Sequence, residues 1–234
     1  MIDIHCHILP AIDDGPADLD EALAMARIAA ASGTRQIVAT PHNGEVLHPP
    51  ELLSARVTEF NALLQEHGID LEVLVGAENV FFLSCDLFSH YCINGGRYLL
   101  IEFPHDHLPA QANTIIFELL GRGLLPIIAH PERNGSIVQQ PNRLLELAAQ
   151  GALVQLTAGS LAGSFGATVQ RCARYLLKQG VVNFLASDGH SATWRPPDLL
   201  PGLKVAEKLI GKKTAHKMVV DNPRYVLADE DLPV

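Results

Sequence analysis

The sequence predicts an α/β fold, a TIM-like barrel of seven βα units in a single domain over residues 1–234, and three observations predict it. Short β-branched runs alternate strictly with amphipathic helical segments, which implies a parallel sheet, and seven such units in one domain close into a barrel more readily than they spread into an open sheet. Glycine or proline marks most of the junctions. No linker, internal repeat or low-complexity tract divides the chain.

Residues 2–7 read as the first strand, with Asp3, His5 and His7 on one face and Ile4 and Cys6 on the other. Asp18, with Glu21 three residues on, resembles a capping box opening a helix through Ala22–Ala31 that stops at Gly33. Arg35–Thr40 is the second strand, stopped by Pro41. A helix over about Pro50–His67 ends at Gly68, Leu71–Gly76 alternates as the third strand, and residues 80–91 read as a short helix. Tyr98–Phe103 is the fourth strand, closed by Pro104. Pro109–Arg122 has helical spacing, Leu125–Ala129 is the fifth strand, and Pro141 takes the first-turn position of a helix ending at Gly151. Ala152–Leu156 is the sixth strand, 165–179 a helix and Val182–Ala186 the seventh strand. Helical segments near 203–210, 212–220 and 222–227 complete the chain.

Apolar residues make up 48% of the chain, enough for a sizeable core, and charged residues only 18%, which argues against disorder. The formal net charge of −9 disfavours a nucleic-acid or anionic-membrane surface. No apolar run approaches the length of a membrane span, residues 1–20 lack a signal-peptide layout, and a cytoplasmic location is the expectation. The four cysteines (Cys6, Cys85, Cys92 and Cys172) form no CxxC pair, as suits a reducing compartment.

Residues competent to bind metal gather at the strand ends. His5 and His7 end the first strand and Asp14 lies in the loop after it. His42 follows the second strand, Glu78 the third, Glu102 closes the fourth, His130 follows the fifth, and Asp188 and His190 follow the seventh. Any one of these alone reads as a loop histidine or a capping carboxylate. Together they fall at the carboxyl ends of six strands, which form one rim in a βα barrel. Five imidazoles and four carboxylates without a thiolate exceed one ion's needs and suit Mn²⁺, Fe²⁺ or Zn²⁺. Clustered divalent ions lower the pKa of water and clamp oxygens during displacement at phosphorus. Arg133 and Arg195 stand at the same rim with forks suited to phosphate. The pattern points to a metal-dependent phosphoesterase.

A cysteine phosphatase needs an arginine six positions after its thiolate. The residues there are Ile12, Tyr91, Tyr98 and Lys178, so Cys6 reads as a core thiol. Gly159-Ser160 reads as a turn after the sixth strand. His67 suits a helix end, His48, His90 and His216 have no evident partner, and His105 and His107, sharing a loop with Glu102, read as a solvated loop, with the lining of a substrate entrance as the alternative.

The motifs His5-Cys-His-Ile-Leu-Pro-Ala-Ile-Asp-Asp-Gly15, Ala39-Thr-Pro-His, Gly76-Ala-Glu, Ile101-Glu-Phe-Pro, Ala129-His-Pro-Glu-Arg, Ala158-Gly-Ser-Leu and Ser187-Asp-Gly-His resemble the polymerase and histidinol phosphatase (PHP) superfamily. More narrowly, they resemble its capsule and exopolysaccharide branch, the manganese-dependent protein-tyrosine phosphatases. The resemblance implies a distorted seven-stranded barrel with three ions. His5, His7 and Asp188 would hold the first ion, Glu78 would bridge to a second completed by Glu102 and His130, and Asp14, His42 and His190 would hold the third. Arg133 and Arg195 correspond to its substrate-phosphate arginines, and the implied substrate is phosphotyrosine on the cytoplasmic tail of a membrane tyrosine autokinase that regulates polysaccharide export. Asn43, where an aromatic residue or second histidine is common, the His105-Asp-His107 segment and a short 43–50 loop depart from the pattern. The alternatives are another PHP-type phosphoesterase, acting on histidinol phosphate or nucleic acid, and a non-catalytic metal-binding regulator. An amidohydrolase is disfavoured, because the fourth strand carries Glu102 where a modified lysine would be needed.

Overall fold

Pro41 and Gly76 decide how the strands are divided. A computed structural model of the chain describes residues 1–44 and 46–233, leaving Glu45, within the short 43–50 loop, and Val234 outside the described residues. In order, the elements are β1 (Ile2–Cys6), α1 (Leu19–Ala31), β2 (Gln36–Ala39), β3 (His42–Asn43), α2 (Pro50–Glu66), β4 (Glu72–Val75), β5 (Glu78–Val80), α3 (Cys85–Phe88), β6 (Tyr98–Glu102) and α4 (Ala112–Gly121). There follow β7 (Leu125–Ala129), α5 (Gly135–Gln139), α6 (Asn142–Ala149), β8 (Leu153–Thr157), α7 (Ala158–Ala162), α8 (Gly166–Lys178), β9 (Phe184–Ala186), α9 (Leu200–Ile210), α10 (Lys212–His216) and α11 (Asn222–Ala228).

The strands form two parallel sheets, in orders β1-β2-β4 and β3-β5-β6-β7-β8-β9. The expected second strand is broken at Pro41, which has no N–H to give a ladder, and the third at Gly76-Ala77. The pieces beyond each break, β3 and β5, pair with each other and, through β5, with β6. The described strands therefore form an α/β fold of two parallel sheets rather than one continuous seven-strand ladder. Between β1 and the far end of the second sheet, Cys6 and Gly189 form an isolated parallel bridge, with His7 N–H donating to Gly189 O at 2.9 Å and Asp188 N–H to His5 O at 2.8 Å.

The first strand corrects the expected alternation. The β1–β2 register shifts between Asp3 and Cys6, an irregularity that breaks the period of two. Ile4 accordingly packs with Ile2, Val38, Leu100, Ile127 and Phe184, a cluster shared by both sheets, whereas Cys6 packs with Ile37, Ala39 and Val73. Asp3 turns to the backbone, accepting from Ser187 N–H at 3.0 Å and His5 N–H at 3.3 Å.

Where the ladder is regular, alternation holds. Leu99 and Ile101 of β6 face the helices and Tyr98 and Leu100 face the shared cluster. Asp18 caps α1, its carboxylate accepting from Glu21 N–H at 2.9 Å, while Glu21 reaches Ala17 N–H at 3.3 Å. The expected helix over 80–91 shrinks to α3 and a 3₁₀ turn, because Glu78–Val80 is drawn into the sheet. Ala158–Ala162 is a helical turn, not a simple turn, and α5 was not foreseen.

Helices α7 and α9 approach so closely at Gly202 that no side chain fits there. A Cβ on Gly202 would lie 2.5 Å from Ala158 O and 2.6 Å from Ala158 Cα. Gly202→Ala should destabilise the fold by about 1–3 kcal/mol despite its better helix propensity, read as a lower urea midpoint by circular dichroism.

Candidate metal centre

The two histidines of the opening strand are aimed by their neighbours. His5 Nδ1 lies 2.9 Å from Gln155 Oε1 of β8, and His7 Nδ1 lies 2.7 Å from Asp13 Oδ2. Each Nδ1 faces an acceptor and so carries the ring proton, leaving the Nε2 atoms as lone-pair donors. Those two Nε2 atoms stand 3.3 Å apart. Glu78 offers Oε1 to His5 and Oε2 to His7, both at 3.4 Å, and Asp188 Oδ1 lies 3.4 Å from His5 Nε2.

The remaining expected residues surround this pair. His130 Nε2 is 2.8 Å from Glu78 Oε1 and 3.6 Å from Glu102 Oε1. His42 Nδ1 is 3.0 Å from Glu78 Oε2, and both His42 Nε2 and His190 Nε2 lie 3.4 Å from Asp14 Oδ1. All nine fall into overlapping groups whose ligand atoms lie within 4.8 Å of one another: His7 with Asp14, His42 and His190; His5 with His130 and Asp188; His5 with His7 and Glu78; and His42 with Glu78 and Glu102. Among these, Asp14 is exposed and His42 partly so, while His5, His7, Glu78, His130, Asp188 and His190 are buried.

The chemistry of this set fits divalent cations. Asp188 Oδ1 is a buried carboxylate oxygen without a hydrogen-bond partner, and buried Glu78 Oε2 has only imidazole nitrogens beside it, His42 Nδ1 at 3.0 Å and His7 Nε2 at 3.4 Å. Lone pairs and bare carboxylates converging in a buried space repel one another unless positive charge lies between them. Arg133 and Arg195 supply part of it at Asp188, and the other protein groups supply more only by protonation. Burial opposes a charged His7, but hydrogen bonds to Asp13 and Glu78 outweigh it and lift its pKa to about 9. Burial and the Glu78 charge push Glu102 up to about 7. A divalent ion in place of those protons satisfies the same atoms. Strain accompanies the arrangement: His130 and Asp188 adopt φ of 32° and 53°, left-handed values that non-glycine residues take at a cost and that recur at functional sites.

Arg133 and Arg195 join at Asp188. Arg133 Nη2 donates to Asp188 Oδ2 at 2.6 Å, and Arg195 Nη2 donates to the same oxygen. The Nε–H groups of both arginines are buried and unpartnered. Burial and the neighbouring Arg133 lower the Arg195 pKa to about 10. Phe165 lies 5.1 Å from the Arg133 guanidinium carbon and 5.3 Å from that of Arg195, a face suited to both cations.

Asp13, Gln155 and Phe165 were not singled out from sequence as functional. Asp13 sits in the opening motif, and Gln155 interrupts an apolar strand, so both left a local signal. Phe165 left none. His105 is exposed, as expected for a solvated loop next to Glu102, and it stacks on His130 with centroids 5.9 Å apart and its Nε2 3.7 Å from Glu102 Oε1. His216 has a partner after all, Glu207 Oε1 at 2.9 Å. Cys6 is fully buried with a raised thiol pKa, caused by burial and then by Asp3, and is inert as a nucleophile.

A family model described as "Capsular polysaccharide synthesis, CpsB/CapC" matches residues 1–228. Tyrosine-protein phosphatase YwqE of Bacillus subtilis (strain 168) is 38% identical over 238 residues, covering 99% of this chain and 93% of YwqE. Tyrosine-protein phosphatase CpsB of Streptococcus pneumoniae is 31% identical over 241 residues, covering 98% and 99%. A chain from the crystal structures of YwqE from Bacillus subtilis and CpsB from Streptococcus pneumoniae, described as unique metal-dependent tyrosine phosphatases, matches with a TM-score of 0.95 and 37% identity, over 100% of this chain and 96% of that one. A β-aspartyl dipeptidase of Fervidobacterium islandicum AW-1, 15% identical with a TM-score of 0.62 over 97% of this chain and 73% of that one, shares the fold alone.

Asp13→Asn keeps a hydrogen-bonding side chain but removes the charge that holds His7 Nδ1–H. Divalent-ion affinity should fall by about 10–100-fold, measured by calorimetric titration with Mn²⁺.

Proposed function

The chain belongs to the capsular polysaccharide synthesis family CpsB/CapC, and from that premise we infer that it is a metal-dependent tyrosine-protein phosphatase. One observation carries the reading: nine potential ligands and two arginines converge on a single, largely buried cluster, with Asp188 common to both sets. Three ions are assigned, drawn from Mn²⁺, Fe²⁺ or Zn²⁺, a range supported by a mixed imidazole and carboxylate set without thiolate; Mn²⁺ is placed first on the resemblance to the manganese-dependent tyrosine phosphatases. His5, His7 and Asp188 would hold one, with Glu78 reaching to a second held by Glu102 and His130. Asp14, His42 and His190 would hold the third, and His7 lies close enough to join them.

When bound, the ions supply Lewis acidity and lower the pKa of water. The protein's own contribution is placement. Arg133 and Arg195 would bind the phosphate's non-bridging oxygens, their forks presenting paired donors. Asp188 orients both guanidiniums from one oxygen, and Phe165 supports both. A phenolate leaving group, with a free pKa of about 10, departs without a strong general acid. The proposed substrate is phosphotyrosine on the cytoplasmic tail of a membrane tyrosine autokinase controlling capsular or exopolysaccharide synthesis. The acidic net charge disfavours nucleic acid, and no helix among the described residues is long and apolar enough to cross a membrane.

The same proposal treats residues 1–234 as one cytoplasmic metallophosphoesterase domain. Its two sheets are read as parts of a single distorted seven-stranded barrel, a reading supported by the Cys6–Gly189 bridge.

Two experiments test this. Chelation should abolish turnover of a phosphotyrosine peptide and Mn²⁺ should restore it. Turnover that survives chelation, or a preference for phosphoserine, would refute the reading. Arg133→Lys replaces the planar fork with a point charge and should weaken kcat/KM about tenfold, most of it in KM, as measured by steady-state kinetics.

A further inference from the structure

Trp194, the single tryptophan of the chain, is 68% exposed beside a charged cluster. Its ring centroid lies 6.1 Å from that of His190. The short loop carrying it is pinned. His190 N–H and Ser191 N–H both donate to Arg195 O, at 2.9 and 3.2 Å, and Ser191 Oγ accepts from Thr193 N–H at 3.0 Å and Trp194 N–H at 3.4 Å. Gly189 permits the loop's close return, since a Cβ there would meet Pro197 at 2.9 Å. A potential metal ligand, an indole and a phosphate-competent arginine are thus held in fixed relation by six residues, 190–195.

Beside the indole is a cavity of ≈ 250 Å³ lined by Trp194, Phe165, Ala162, Pro196, Arg195 and Ser187 among others. Aromatic and aliphatic groups form much of its wall, and Arg195 belongs to both this cavity and the Asp188 cluster. Phe165 bridges the same two regions through its contacts with both guanidiniums. An aryl phosphate ester is a dianion joined to a flat apolar ring, and it needs an anion cradle next to an apolar slot.

We propose that this cavity receives the phenyl ring of phosphotyrosine, with Trp194 and Phe165 as specificity-determining walls that favour aryl over alkyl phosphate esters. The proposal rests on the phosphatase reading above. A second groove, lined by His42, Phe81, Phe82, Glu102, Phe103 and His105 among others, has no arginine in its wall. The ring is placed on the Trp194 side because Arg195 lines that cavity, while the second groove borders only the candidate ligands His42 and Glu102.

The test uses the full chain loaded with Mn²⁺. Because Trp194 is the single tryptophan, its fluorescence reports the cavity directly. The non-hydrolysable benzylphosphonate should slow acrylamide quenching of Trp194, and ethylphosphonate should not. In steady-state assays, Trp194→Ala and Phe165→Leu should each lower the ratio of kcat/KM for phenyl phosphate to that for ethyl phosphate by about tenfold, mainly through KM. Trp194→Phe should keep most of the wild-type ratio. An unchanged ratio in Trp194→Ala, or a fall produced by Phe82→Ala instead, overturns the proposal. A wild type that hydrolyses neither phenyl phosphate nor a phosphotyrosine peptide would overturn the phosphatase reading, and benzylphosphonate protection of Trp194 would still decide whether the cavity takes an aryl ring.

Discussion

Two imidazole nitrogens, 3.3 Å apart and facing the carboxylates of Glu78 and Asp188, set the terms for everything around them. Such a grouping is unfavourable in a buried space without positive charge, so the protein must hold it by force. Gln155 and Asp13 fix the rings by their far nitrogens, and backbone bonds from Asp188 to His5 and from His7 to Gly189 lock the two ends of the sheets together. Asp188 then carries a second duty, drawing Arg133 and Arg195 to its other oxygen. One carboxylate thereby ties the residues proposed to hold ions to the arginines proposed to hold phosphate.

The fold serves this by geometry rather than by any special stability at the site. Parallel strands bring loops from distant parts of the chain to one rim. The breaks at Pro41 and Gly76-Ala77 refine it, because β3 and β5 register with the second sheet and carry His42 and Glu78 opposite each other. An unbroken second strand would continue beside β1, where it could not present His42 in that register.

Much of this was legible in the chain. The βα alternation, the ends of most elements and the gathering of nine candidate ligands at strand ends all follow from local pattern, which is where periodicity and capping chemistry are strongest. What escaped was non-local. The register irregularity in β1 depends on pairing with β2, so Ile4 and Cys6 could not be seen to part company. Glu78 read as a loop residue because three residues carry too little pattern to mark a strand, and the pairing of β5 with β6 comes from elsewhere in the chain. Phe165 gains its place only because two arginines, 32 positions before it and 30 after it, fold onto its ring. His105 is the solvated loop residue that its surroundings suggest, but nothing local shows that His130 lies beneath it.

The left-handed backbones of His130 and Asp188 have a consequence for the protein's lifetime. Each strained position costs about 1–3 kcal/mol, a sizeable share of the margin by which a domain stays folded. Ligands that bind only the folded chain return such losses by mass action, about 2.7 kcal/mol at a hundredfold excess over Kd. Resistance to proteolysis, and with it steady-state abundance, would then rise and fall with the supply of divalent ions. Scarcity would thin the pool of molecules as well as silence those that remain.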